Sequence, residues 1–173
     1  MERIVGTSRI CYVWEKYTFK LPRINISRFW IIFDMLTWDS THKRKSLINE
    51  LQKWFDDMVD NINVNIIENK LWKKYPEIVM QTKIGVFWII NIQETGIIIS
   101  EELNVKLWSL LIKHANNHNN IIAEWHTFYE GWNFAFDCKW NLKLVDAWGK
   151  SMPHILEQES ANFLKALIDI QDI

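Results

Sequence analysis

Residues 120–141 read NIIAEWHTFYEGWNFAFDCKWN, and the groups in this stretch that could do chemistry are Glu124, His126 and Asp137. Two carboxylates and an imidazole within about 5–8 Å of each other could hold a divalent cation or share a proton. Trp125, Trp132 and Trp140 lie among them, so a sticky binding face or an aromatic core with a solvated back fits the same residues. The spacing depends on a hairpin. Glu130 and Gly131 read as its two-residue turn, with the glycine tolerating positive φ. Pairing Tyr129 with Trp132 puts Trp125, Thr127, Tyr129, Trp132, Phe134, Phe136, Cys138 and Trp140 on a core face. Glu124, His126, Phe128, Asn133, Ala135, Asp137 and Lys139 then share the other face, with Glu124 opposite Asp137. Glu-x-His and a single Asp are common on solvated strands, so a wet face is favoured over an active site. Ile122 and Phe128 on that face fit a binding patch.

A second charged pattern lies on a helix expected to follow Asp39, Ser40 and Thr41, whose oxygens can cap it. Leu47, Leu51, Trp54, Phe55, Met58, Val59 and Ile62 recur there at helical spacing. The helix opens with HKRK at 42–45 and is expected to close near Asp56, Asp57 and Asp60. Both clusters oppose the helix dipole, at roughly 0.3–1 kcal/mol per exposed charge. Asp34 and Asp39 at one end and Lys70 or Lys73 at the other could compensate. The functional alternative is a bipolar surface that steers a protein partner.

Other chemistries lack their signatures. There is no GxGxxG, GxxxxGK[ST], HExxH or GxSxG. Ser151 near His154 has no nucleophile elbow, and His114 with His118 sits in an Asn-rich segment read as a loop. No set of four Cys, His or carboxylate side chains has structural-metal spacing, so neither a metal nor another cofactor is expected. Cys11 and Cys138 suggest small hydrophobes rather than a disulfide framework.

The positioning elements are read as follows. Ile10–Leu21 is a strand, turned at Pro22 and Arg23, and Asn25–Thr37 is a second, central strand. After the long helix, 63–81 could hold a short helix ended by Pro76. Lys83–Ile92 is a strand, Gln93–Gly96 a turn and Ile97–Ile99 a return strand. Ser100 caps a helix with Glu101 and Glu102 in its first turn and Leu103, Leu107, Leu110 and Leu111 inward. His114–Asn120 is a polar loop. Leu142–Ala147 is a strand, and a last helix near Glu157–Ile170 turns Phe163, Leu164, Leu167 and Ile168 inward. The predicted class is α+β, a single antiparallel sheet of hairpins and meanders with two to three helices against it, in one domain over 1–173. Its core should include Trp54, Phe55, Leu107, Leu111, Trp125, Phe134 and Phe136.

A net charge of −1 and a pI near 6.5 supply no field for nucleic acid or an anionic membrane. The N-terminal residues lack an apolar signal core, and no apolar run is long enough to span a bilayer, so a cytoplasmic protein is expected. The 11 Trp are the outlying feature. Core packing should account for about two in three of them, and Trp is also the leading interface anchor. Together with the absent catalytic motifs, these features fit a binding inhibitor, best an immunity protein or antitoxin that occludes a cationic toxin or nuclease domain. Glu124, His126, Phe128, Asp137, Asp56, Asp57 and Asp60 are its candidate contacts. The abundance of Ile, Asn and Lys suits an AT-rich bacterial or phage gene. A phage inhibitor of host defence is the nearest alternative, and a small hydrolase or metal-dependent enzyme using Glu124, His126 and Asp137 is the alternative of another class. The oligomeric state is left open.

Overall fold

The computed structural model describes residues 2–5, 9–22, 41–84, 89–123, 129, 133–147 and 151–171. These residues form an α+β fold with antiparallel sheets, as the patterning predicts. The strands are shared between two sheets. The first has β1 (Glu2–Val5), β2 (Arg9–Val13), β3 (Tyr17–Pro22), β4 (Thr82–Ile84) and β5 (Asn91–Glu94), in the order β1-β2-β3-β5-β4. The second has β6 (Ile97–Ile98), β7 (Phe134–Phe136) and β8 (Leu142–Leu144), in that order.

Two expected strands are hairpins. Ile10–Leu21 folds back on itself with Cys11 opposite Lys20, and Trp14 N–H donates to Tyr17 O at 2.8 Å across the turn. Period-two alternation is the same on both arms, and Trp14, Glu15 and Lys16 include no turn-forming residue, which hides the reversal. The ends of Lys83–Ile92 likewise pair with each other, Lys83 facing Ile92, and β5 runs on to Glu94 where a turn was expected. The predicted central strand Asn25–Thr37 lies outside the described residues.

Helix α1 (Thr41–Lys74) extends through the segment whose structure the sequence left open. Its C-terminal half carries the buried Asn65, Glu68, Asn69 and Leu71, and it packs chiefly against β4. The N-terminal half does not follow the core expectation: Trp54 is half-buried and Phe55 is 59% exposed. Periodicity identifies an apolar face but not whether anything covers it. Because α1 continues to Lys73 and Lys74, Asp56, Asp57 and Asp60 lie mid-helix rather than at its negative end, and the last turn suits the dipole. Only the basic start still opposes it.

Helix α2 (Glu101–His114) begins as predicted, with Ser100 Oγ accepting from Leu103 N–H at 3.2 Å. Helix α3 (His118–Ala123) occupies part of the expected polar loop, anchored by the buried Ile121. Helix α4 (Met152–Asp169) starts before Glu157 because Met152, Ile155 and Leu156 extend its buried face. Phe163 and Leu167 are buried, but Ile168 is exposed. The core joins these helices to the second sheet: Leu107, Leu111 and Phe134 are buried as predicted, and Phe134 stacks on Phe163 with centroids 6.4 Å apart. Phe136 is only half-buried, and Trp125 is outside the described residues.

A buried polar junction ties the sheets and α1 together. Lys20 Nζ lies 3.6 Å from Glu68 and donates to Val145 O at 3.2 Å. Asn91 donates to Glu68, and Gln93 donates to Val145 O at 2.7 Å. Asn69 donates to Thr82 O at 2.7 Å. Lys20→Met would leave Glu68 as a buried charge without its ammonium, at a cost of about 3–5 kcal/mol. Urea denaturation should show this loss, and adding Glu68→Met should recover part of it.

Glu159, also buried, accepts from Asn116 and Asn117 N–H at 3.0 and 2.8 Å and from Asn162 Nδ2 at 2.9 Å. Burial is the largest single influence and would raise its pKa, but these hydrogen bonds, with His118, hold the carboxyl below the ordinary 4.5. Its stabilisation is therefore complete above the unfolded-state pKa and is lost as pH falls through the lower folded value. Glu159→Gln should flatten the acid side of the stability profile, measured as urea midpoints from neutral pH downward.

Candidate protein-binding site

Strand β7 has both edges occupied. Ile97 and Ile98 pair with Phe136 and Ala135 on one side, and Leu142, Lys143 and Leu144 pair with Phe136, Ala135 and Phe134 on the other. The predicted pairing of 124–129 with this strand is therefore replaced, and Tyr129 is helical. A downstream hairpin wins because its turn is built by side-chain hydrogen bonds.

That turn is made by Asp137. Its N–H donates to Asn141 O at 2.9 Å, and its Oδ1 accepts from the N–H groups of Lys139 and Asn141, both at 2.8 Å. The Asn141 amide adds a bond to Oδ2 at 3.1 Å. An aspartate that captures the backbone N–H groups following it is a standard way to close a loop. Burial acts most strongly on this carboxyl and would raise its pKa, but the bonds from Asn141 and Lys139, with attraction from Lys143, hold it below the ordinary value. Asp137 is thus an ionised turn-former.

The turn forces Trp140 to φ 63°, in the left-handed region, with the side chain 66% exposed. For a residue other than glycine this conformation costs roughly 1–2 kcal/mol. The indole lies 5.8 Å from the Phe136 ring, and Phe136 faces Ile97 across the strands. Trp140, Phe136 and Ile97 thereby form an apolar strip on one face of the sheet, whereas Ile98, also exposed, belongs to the other face of the edge strand β6. Gly96 allows the close approach of β6 to β7, since a Cβ there would stand 2.7 Å from Ala135 Cβ.

Polar groups rim the strip. Glu94 accepts from Cys138 N–H at 3.0 Å, and the exposed Lys139 projects from the turn. The Glu94 hydrogen bond is the main reason the Cys138 pKa is raised, so the thiol is held protonated and is a poor nucleophile. Lys143 turns inward to donate to Pro76 O and Glu77 O at 2.9 and 2.7 Å, and burial lowers its pKa.

Of the residues singled out from sequence, Glu124, His126 and Phe128 lie outside the described residues. Asp137 belongs to the turn just described. Asp56, Asp57 and Asp60 are exposed on α1, a separate element, beside Phe55 and Val59. Trp140 was assigned to the core face; the signal for its exposure is the DCKWN run, in which an aspartate precedes an asparagine at turn spacing. Among the described residues, no group of three or more His, Cys, Asp or Glu side chains is placed to hold a metal, and no helix is long and apolar enough to cross a membrane. The chain matches no protein-family model, curated protein or solved structure in comparisons with each.

Trp140→Gly should be more stable than Trp140→Ala by about 1 kcal/mol, because both lack the indole and only glycine relieves the strain of the left-handed turn. Equal unfolding midpoints would contradict that geometry.

Proposed function

We propose that this protein acts by stoichiometric binding to another protein, with Trp140 as the principal anchor and the Phe136 and Ile97 strip as its surround. The observation that carries this reading is a mostly exposed indole on a strained, non-glycine, left-handed residue. Folding alone would favour Gly or Asn there and would not hold a large apolar ring in water. A partner pocket that takes the ring out of water offsets both costs, and a central aromatic ringed by polar groups is the usual form of an interface hot spot. Glu94 nearby, with Asp56, Asp57 and Asp60 on α1, favours a partner with a cationic face.

Within this class the best fit is an immunity protein or antitoxin of bacterial origin that neutralises a toxin domain by occlusion. A phage inhibitor of host defence would use the same interface chemistry. The genes adjoining this one separate the two, since a toxin gene and phage structural genes are different neighbours.

The test is recovery of a protein partner from the native host on the immobilised protein, followed by affinity measurement with variants. Trp140→Ala should weaken binding by more than about 2 kcal/mol, mainly through faster dissociation. Glu94→Gln should mainly slow association and lessen its salt dependence. An unchanged affinity in Trp140→Ala would refute the anchor. Turnover of a small molecule, lost in Glu124→Ala or His126→Ala with no protein recovered, would replace binding by catalysis.

A further inference from the structure

The junction at Lys20 holds more charge than joining the sheets requires. Glu68 alone neutralises the ammonium, at 3.6 Å and fully buried, yet the Asp146 carboxylate stands 3.8 Å from the same nitrogen. One ammonium and two carboxylates leave an excess negative charge. The ammonium is also incompletely hydrogen-bonded: among the described residues its acceptor within hydrogen-bond distance is Val145 O at 3.2 Å, and both carboxylates lie beyond that range. A lysine has three N–H donors, and buried polar groups normally use theirs. Asn91 Oδ1 is likewise buried without a partner among the described residues, although its amide nitrogen donates to Glu68. The cluster reaches water through Asp146, whose side chain is 34% exposed, against 7% for Lys20 and 1% for Glu68.

Backbone pairing brings a further polar residue to this place. Asn133 O accepts from Val145 N–H at 2.7 Å, which holds the buried Asn133 alongside the residue preceding Asp146. The charges select a ligand that carries both signs. A free phosphate would meet the excess negative charge of Glu68 and Asp146, and a bare cation would meet Lys20. A divalent cation already bound to phosphate suits both, because magnesium is commonly held by one or two carboxylates together with the phosphates and water that complete its shell. Protein kinases divide the work in this way, with a strand lysine on the phosphates, a helix glutamate paired to that lysine, and an asparagine and an aspartate on magnesium. Lys20 on β3, Glu68 on α1, Asn133 before β7 and Asp146 after β8 supply the same four groups at one junction.

We propose that Lys20, Glu68, Asn133 and Asp146 bind the magnesium complex of a triphosphate, carried by a nucleoside or free, and hold it without phosphoryl transfer. Lys20 contacts the phosphates, Glu68 holds Lys20, and Asp146 with Asn133 meets the metal, which arrives with the phosphates. Transfer requires a carboxylate to take the proton of the acceptor hydroxyl, the aspartate of the kinase sequence His-Arg-Asp-x-x-x-x-Asn. Residues 126–133 read HTFYEGWN, so His126 and Asn133 stand at that spacing and Phe128 has the place of the aspartate. A phenyl ring accepts no proton. The chain also has no GxGxxG, so retention rests on Lys20 and the metal more than on backbone N–H groups. The site shares no residue with the Trp140 strip and stands or falls separately from the protein-binding function.

Titration calorimetry of the full chain with ATP, GTP and inorganic triphosphate, each in excess magnesium, tests the site. Tighter binding of a nucleotide assigns it to nucleotides, and equal affinities assign it to the triphosphate itself; either result supports the proposal. Replacing magnesium by EDTA should weaken binding to wild type by more than about tenfold. Asp146→Asn, with a circular dichroism spectrum like that of wild type, should bind in magnesium as weakly as wild type does without it, a pattern that loss of a merely structural contact would not give. Incubation with γ-labelled ATP should leave the label on the nucleotide. No binding of any of the three at millimolar concentration would overturn the proposal. So would an affinity indifferent to magnesium in wild type, an Asp146→Asn variant that keeps its magnesium dependence, or release or transfer of the label above the rate in buffer.

Discussion

A lysine ammonium removed from water governs how this chain is put together. Lys20 projects from β3 into the interior, where it meets the Glu68 carboxylate of α1 and the Val145 carbonyl that follows β8. An unpaired charge in that position would cost several kcal/mol. The first sheet, α1 and the end of the second sheet must therefore converge on it together. Gln93 and Asn91, on the neighbouring strand β5, donate to Val145 O and to Glu68, and the Asp146 carboxylate stands 3.8 Å from the ammonium. The junction is directional, so it sets how the elements meet, which an apolar contact of equal area would leave looser.

Around this junction the apolar core takes the opposite course. Leu107, Leu111, Phe134, Phe163 and their neighbours join α2, α4 and the second sheet by nondirectional burial. The segment from Ile78 to Met80 links the two regimes. Val79 pairs in parallel with Leu144, Met80 N–H donates to Leu144 O at 2.9 Å, and the chain then enters β4 of the first sheet. With β8 held by that segment and β7 by β6 and β8, the Asp137 turn is carried on a paired scaffold. A rigid base is what allows a strained residue such as Trp140 to persist.

Among the exposed apolar features of the described residues, Trp140 and the α1 stripe differ in kind. Trp140 is a single large ring fixed by its backbone, suited to insertion into a pocket. The α1 stripe is a row of smaller side chains, Ile48, Leu51, Phe55 and Val59, at helical spacing. Their charged surroundings differ as well: Glu94 and Lys139 bracket the turn, whereas α1 separates a basic segment from an acidic one along its axis.

Local rules were readable in the amino-acid sequence wherever the energy is local. Ser100 capping α2, the Leu103, Leu107 and Leu111 spacing, the Phe163 and Leu167 face of α4 and the antiparallel α+β class all follow from hydrogen-bond geometry and periodicity within a few residues. Tertiary structure decided what those rules leave degenerate. Alternation is the same before and after a reversal, so the hairpins within 10–21 and 83–92 looked like single strands. A helical apolar face is the same whether covered or bare, so Phe55 read as core. Two glycine- or aspartate-centred turns competed for the strand at 134–136, and the four contacts that Asp137 makes with Lys139 and Asn141 favoured the later one. The Lys20 and Glu68 pairing spans two elements far apart in the chain, and no local pattern marks it. Only the folded packing brings Lys20 and Glu68 out of water together, with Asp146 beside them.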